Sequence, residues 1–220
     1  ASDGRLLVDA RGNFGTCIGS GLGGKIYIKK GALELNANGD RAVAVGSFQG
    51  DDEIRITNCG LEIDLSISDG VGCGSIEEST IVKFHKCYVK CSISGNNTVG
   101  IGSLSGEETL VDILDSFTDF TIRSGDSTCV GALQGATKMT ASLASVRVES
   151  VGENCLAFGG YSGDAVAFFN GVDVKVKIYN SSGKDCFAKD EDITMINGKC
   201  SIFVNDKRIE RKLDYKFDKE

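Results

Sequence analysis

The sequence predicts an all-β chain wound as a parallel β-solenoid, a β-helix of about seven rungs of about 28 residues with three strands per rung. Glycine closes a small or β-branched run at Gly19, Gly46, Gly74, Gly102, Gly131 and Gly159, at spacings of 27, 28, 28, 29 and 28 residues. A fixed period of that length means one structural unit repeated. Between these anchors apolar and polar residues alternate, the pattern of half-buried strands. The 220 residues include 29 glycines and no proline, which suits internal strands, because proline cannot donate to a ladder.

Aligned on the anchors, each lap resolves into three strands. The first ends on the anchor, as in residues 43–45 and 99–101. The second reads EIRIT at 53–57, IVKFH at 81–85 and KMTAS at 138–142. The third reads LEIDLSI at 61–67, with counterparts at 89–93, 146–151 and 172–178. The 110–122 lap is ragged: LVDILD and FTDFTI are offset by one residue, and the 29-residue spacing is expected to place its extra residue there. Each third strand leads into a turn of small polar residues, such as Asn38-Gly39-Asp40 and Ser94-Gly95-Asn96, where glycine reaches positive φ and Asn, Asp or Ser bonds the local backbone.

Stacking at roughly 4.8 Å per rung gives a rod about 35 Å long. Leu61, Val89, Val146 and Val174 should form one inward ladder, Ile63, Cys91, Val148 and Val176 another, and Cys59 should lie on Cys87. A leucine-rich repeat would need a Leu and Asn spacing and a helical return segment that are missing. The chain reads as a single domain, 1–220, with an N-terminal cap at 1–13, repeats over 14–204 and a charged cap or linker at 205–220.

A net charge of −7 argues against a nucleic-acid partner. With no run of 18 apolar residues, no membrane-inserting segment is expected. The nine cysteines cannot all pair within one chain, and Cys87 and Cys91, at i and i+4 on a strand, are too far apart to bridge. They read as buried core thiols, which favours a reducing or anaerobic setting.

The CIGSG- and VGIGS-type anchors, the SGD and SGN bends and the three-strand lap resemble the right-handed parallel β-helix repeats of the pectin-lyase-like superfamily, especially glycine-rich bacterial surface and secreted proteins. The resemblance covers roughly residues 14–204 and implies a bacterial surface or secreted protein, which the core thiols place in an anaerobe, with a cytoplasmic place as the other reading. That superfamily includes lyases, hydrolases and adhesins, so the fold alone names no activity. The hydrolase pattern of an Asp pair with Asn-Thr-Asp, His-Gly and Arg-x-Lys elements is not reproduced here. His85, the single histidine, aligns with Thr57 and Ser142 and reads as a structural or surface residue rather than a catalytic one.

No catalytic constellation stands out, and the candidate sites are for binding. Ala44, Gly72, Gly100, Cys129 and Ala157 read either as an outward flat face, flanked by a row of Phe48, Ile76, Leu104, Leu133 and Tyr161, or as small residues required where a bend brings backbone close, with the core as the other direction for the flanking row. Lys90, Arg147 and Lys175, with Lys177 two residues on, are expected to form a basic stripe on strand three, suited to an anionic glycan or paired with nearby Glu62 and Glu149. Asp51, Asp52, Glu77, Glu78, Glu107 and Glu108, with Asp164, should gather on one edge, as a solvated bend or as ligands for calcium, the sole cofactor considered. The function expected is a non-catalytic rigid binding or adhesion module for a glycan or protein surface. The alternatives are a lyase-like carbohydrate-active enzyme and a spacer or sensor fragment of a larger protein.

Overall fold

The computed structural model describes residues 4–180, 191–209 and 214–216. Three walls make each lap. The anchor wall is a parallel six-stranded sheet: β2 (Thr16–Ser20), β4 (Val43–Ser47), β6 (Val71–Ser75), β9 (Val99–Ser103), β12 (Ser127–Ala132) and β15 (Cys155–Phe158). The second wall holds the first half of β3 (Gly24–Asp40) and of β5 (Asp52–Ser68), then β7 (Thr80–His85), β10 (Glu108–Leu114), β13 (Ala136–Ser142), β16 (Ala165–Asn170) and β18 (Glu191–Ile196). The third holds β1 (Arg5–Arg11), the second halves of β3 and β5, then β8 (Tyr88–Asn96), β11 (Phe117–Gly125), β14 (Ser145–Val151), β17 (Asp173–Tyr179) and β19 (Lys199–Val204). Because β3 and β5 run unbroken round their corner, the second and third walls count as one 15-stranded sheet.

The expected core ladders form, and they are complete. Leu61, Val89, Thr118, Val146 and Val174 stack in register, as do Ile63, Cys91, Phe120, Val148 and Val176. Thr118 and Phe120 thus fill the lap that reads as ragged. Its extra residue lies earlier than expected, in the bend before β10. Ser75 pairs with Ser103 and Thr80 with Thr109, so a step of five residues becomes one of six. Phe117 consequently faces out.

Left-handed residues turn the corners. Between the second and third walls these are Lys30, Asn58, Lys86, Asp115 and Leu143; before the anchor wall they are Arg41, Asp69, Asn97, Asp126 and Asn154. Each bend is tied to the next rung: Lys86 N–H donates to the Leu114 carbonyl at 3.0 Å, and Asp69 N–H to the Asn96 carbonyl at 2.9 Å. Asn and Asp tolerate this conformation best, and at the second corner they also ladder, with Asn97 Nδ2 donating to Asp69 Oδ1 at 2.8 Å.

The anchor wall corrects the expectation of a bare outward face. Ala44, Cys129 and Ala157 are fully buried in the main core. A Cβ on Gly72 would lie 3.1 Å from the Cys91 sulfur, and one on Gly100 would lie 3.2 Å from the Phe120 ring, so these positions point inward. The opposite side is covered as well. After each anchor the chain folds back over Val43, Val71 and Val99, which pack with Ile76 and Leu133 beneath half-buried Phe48 and Leu104. The wall is therefore a middle layer with small residues where it meets large core side chains. The anchors serve a separate need: Gly74 sits at φ +143°, and a Cβ there would overlap the Gly102 carbonyl oxygen.

At the N-terminal end, β1 pairs in parallel with β3, Val8 on Leu35 and Ala10 on Ala37, so part of the expected cap continues the third wall. At the other end β20 (Lys207–Ile209) pairs antiparallel with β19, and β21 (Asp214–Lys216) pairs with β18. Residues 210–213 and 217–220, together with Cys186, lie outside the described residues.

Candidate functional site

The third wall presents its outward side chains in columns, one residue per rung. One column runs Glu34, Glu62, Lys90, Asp119, Arg147, Lys175 and Ser201. Asp119 therefore interrupts the expected basic stripe between Lys90 and Arg147. The one-residue shift in that lap hides it from a count of equivalent positions. Lys90 Nζ lies 2.6 Å from Glu62 Oε1, and this hydrogen bond, with the carboxylate's charge, raises the lysine's pKa. Lys177 sits in register with Glu149. Arg147 and Lys175 remain adjacent cations.

The neighbouring column runs Ala32, Gly60, Tyr88, Phe117, Ser145 and Asp173. Tyr88 is 53% exposed, and its ring stacks on Phe117 with centroids 5.2 Å apart and planes 5° from parallel. The Arg147 guanidinium covers Phe117 at 4.9 Å from its centroid, a contact between a cation and the negative face of a ring. Below Tyr88 the column drops to Gly60 and Ala32, leaving a cleft of about 260 Å³ whose walls include Arg5, Glu34 and Glu62. Arg5 pairs with Glu34, so two ion pairs border the hollow.

Sequence reasoning missed Tyr88 and Phe117 as a pair. The signal was present: they lie 29 residues apart, the local lap length. The flanking row is mostly covered: Ile76 and Leu133 are buried to 1% and 4% exposure and Phe48 and Leu104 are half-buried, so its two aromatic members, four rungs apart, make no continuous exposed surface. Tyr161 stands exposed at one end, while Phe48 packs edge-on to Phe14, centroids 5.9 Å apart. His85 is exposed on the second wall beside Thr57, as expected.

The acidic bends are dispersed among different partners. Asp51, Asp52 and Glu108 reach one cleft of about 330 Å³ with Lys25 and Glu53. Asp52 turns inward: it is buried, and Ser47 Oγ donates to its Oδ2 at 2.7 Å. Burial raises its pKa against the lowering effect of that bond. Its counterparts on later rungs are Thr80, Thr109 and Thr137. Glu77 accepts from Gln49 Nε2 and Arg41 Nη2 at 2.9 and 2.6 Å, which lowers its pKa. Glu78, Glu107 and Asp164 are exposed. Among the described residues no three His, Cys, Asp or Glu side chains converge as a metal-binding group, and no helix is long and apolar enough to cross a membrane.

The cysteines of the described residues are thiols that form no disulfide with one another, six buried and two, Cys17 and Cys200, half-buried. Desolvation lifts the Cys91 pKa to about 12, leaving it a thiol at neutral pH.

No family model matches the chain, and no curated protein and no solved structure matches it. The fold defines a parallel β-solenoid repeat protein; its surface carries the argument for function.

Proposed function

We propose that the chain is a non-catalytic, rigid binding module for carbohydrate, displayed at a bacterial surface, and that its third wall is the binding face. The observation that carries this reading is the Tyr88–Phe117 stack, in which exposed Tyr88 rests on half-buried Phe117 and borders a cleft lined by Glu62 and Glu34. Pyranose rings present a face of C–H groups that complements the negative face of an aromatic ring. Their hydroxyls bond carboxylates and ammonium groups. A continuous hydrogen-bonded wall holds these groups at fixed spacing, which reduces the ordering cost of binding. The likeness of the lap to pectin-lyase-like β-helices agrees with a carbohydrate ligand.

The rival lyase reading draws on the cleft that sets Lys25 beside Glu53, at 3.2 Å, near Asp51 and Glu108, since lyase chemistry uses a base next to carboxylate-held calcium. One experiment separates the two readings. A glycan array should give reversible binding that Tyr88→Ala abolishes, and pectate and alginate should yield no unsaturated products with or without calcium. Calcium-dependent product formation lost in Lys25→Ala would replace the binding reading with the lyase.

A further inference from the structure

The outward aromatic column is short, and its two ends differ. Phe117 and Tyr88 occupy consecutive rungs with parallel rings, so the solenoid sets one ring per rung. Beyond Phe117 the stack is closed by Arg147. Beyond Tyr88 no ring follows: the next two positions are Gly60 and Ala32.

Backbone geometry does not explain this glycine. A Cβ on Gly60 would meet only the Ala32 Cβ, at 4.0 Å, and no left-handed φ is required there. Gly60 thus contrasts with Gly74, which cannot carry a side chain. A rung that could bear an aromatic residue instead bears none, directly under an exposed tyrosine.

We propose that this hollow is a subsite for one uncharged pyranose ring, which stacks on the open side of Tyr88 as the next member of the column. The inference rests on the carbohydrate-binding reading and gives it a place and a ligand class. At about 260 Å³ the hollow falls below the roughly 300–1,000 Å³ of pockets for drug-sized ligands, which suits a single ring. Its border favours a sugar over a flat aromatic ligand. The carboxylates of Glu34 and Glu62 and the Arg5 guanidinium line the hollow, with Lys90 held on Glu62, and they offer partners to sugar hydroxyls where an unsubstituted aromatic ring has nothing to offer them. The two ion pairs balance in charge, so a uronate or an amino sugar would find one favourable and one unfavourable partner in each.

The test fills the hollow from within. In Gly60→Phe the new ring should continue the stack, raise the thermal midpoint and exclude the ligand. Amide nitrogen–proton NMR spectra of the wild type are titrated with methyl glycosides of glucose, galactose, mannose, N-acetylglucosamine and glucuronic acid. At least one neutral glycoside should shift the amides of Gly60, Glu62 and Tyr88, none should do so in Gly60→Phe, and the glucuronide should bind more weakly. Tyr88→Ala, an exposed substitution that leaves the core intact, should lose the same shifts and serves if Gly60→Phe does not fold. The subsite is overturned if the shifts persist in the variants, if the glucuronide binds tightest, or if no glycoside moves these amides. When that last result accompanies glycan binding on the array, the subsite falls and the binding reading stands; with a blank array both fall.

Discussion

Val148 and Arg147 are consecutive residues of β14 facing opposite sides of one wall, and replacing each with aspartate measures what the register is worth. Val148 is 2% exposed and stacks between Phe120 and Val176. Val148→Asp removes an apolar burial worth about 1.5–3 kcal/mol. It also leaves a carboxylate among apolar neighbours, and an uncompensated buried charge costs about 3–5 kcal/mol. A loss of at least about 4 kcal/mol is expected, most of the stability of a domain at the low end of the usual 5–15 kcal/mol. Arg147→Asp gives up the contact with Phe117, worth about 0.5–1 kcal/mol at an exposed site, and sets a carboxylate between Asp119 and Lys175, whose effects oppose each other. Its cost should stay near 1 kcal/mol. Urea unfolding followed by circular dichroism at neutral pH reads the difference. Midpoints are compared because a repeat array need not unfold in one step. Similar shifts for the two variants would refute the register.

Asp52 occupies a column whose later members are threonines, so Asp52→Thr should raise the thermal midpoint by several degrees at pH 7. Because burial raises its folded pKa above the unfolded value, wild type gains stability as pH falls from the folded pKa toward the ordinary carboxylate value; the gap between the proteins should narrow there, and a gap that widens in acid contradicts the assignment. Gly74→Ala combines an unfavourable φ with a carbonyl overlap and should cost about 3 kcal/mol or more by strain, measured by the same melts, whereas Gly60→Ala should be nearly neutral. Thiol labelling of native protein should reach Cys17 and Cys200 first and leave Cys73, Cys91 and Cys129 unmodified until denaturant is added; rapid native labelling of Cys91, read by mass spectrometry, would contradict its burial.

The parts of this fold legible in the sequence are those where one rung imposes a rule on the next. The anchors recur because a side chain at Gly74 would strike the carbonyl stacked on it, and the core columns alternate because one wall face is dry. The anchor wall is not legible locally because its outer cover comes from chain that has already left the strand: nothing in the sequence around Val43 marks that the segment around Ile76 packs against it. The functional face was obscured by one residue. The insertion before β10 moves Asp119 into the supposed basic stripe and Phe117 onto Tyr88, and both are misplaced unless positions are counted back from the anchor that follows, Gly131, rather than forward from Gly102. Corner residues gave little signal, since Lys30, Asn58, Lys86, Asp115 and Leu143 share only a backbone conformation.

The central claim is that the third wall, at Tyr88, binds carbohydrate. Titration calorimetry of the best array glycan against wild type, Tyr88→Ala and Tyr161→Ala tests it most directly. Binding should fall at least tenfold in Tyr88→Ala and remain within about twofold in Tyr161→Ala, corresponding to more than about 1.4 kcal/mol against less than about 0.4. Full binding by Tyr88→Ala with loss in Tyr161→Ala would contradict the account and move the site to the anchor edge.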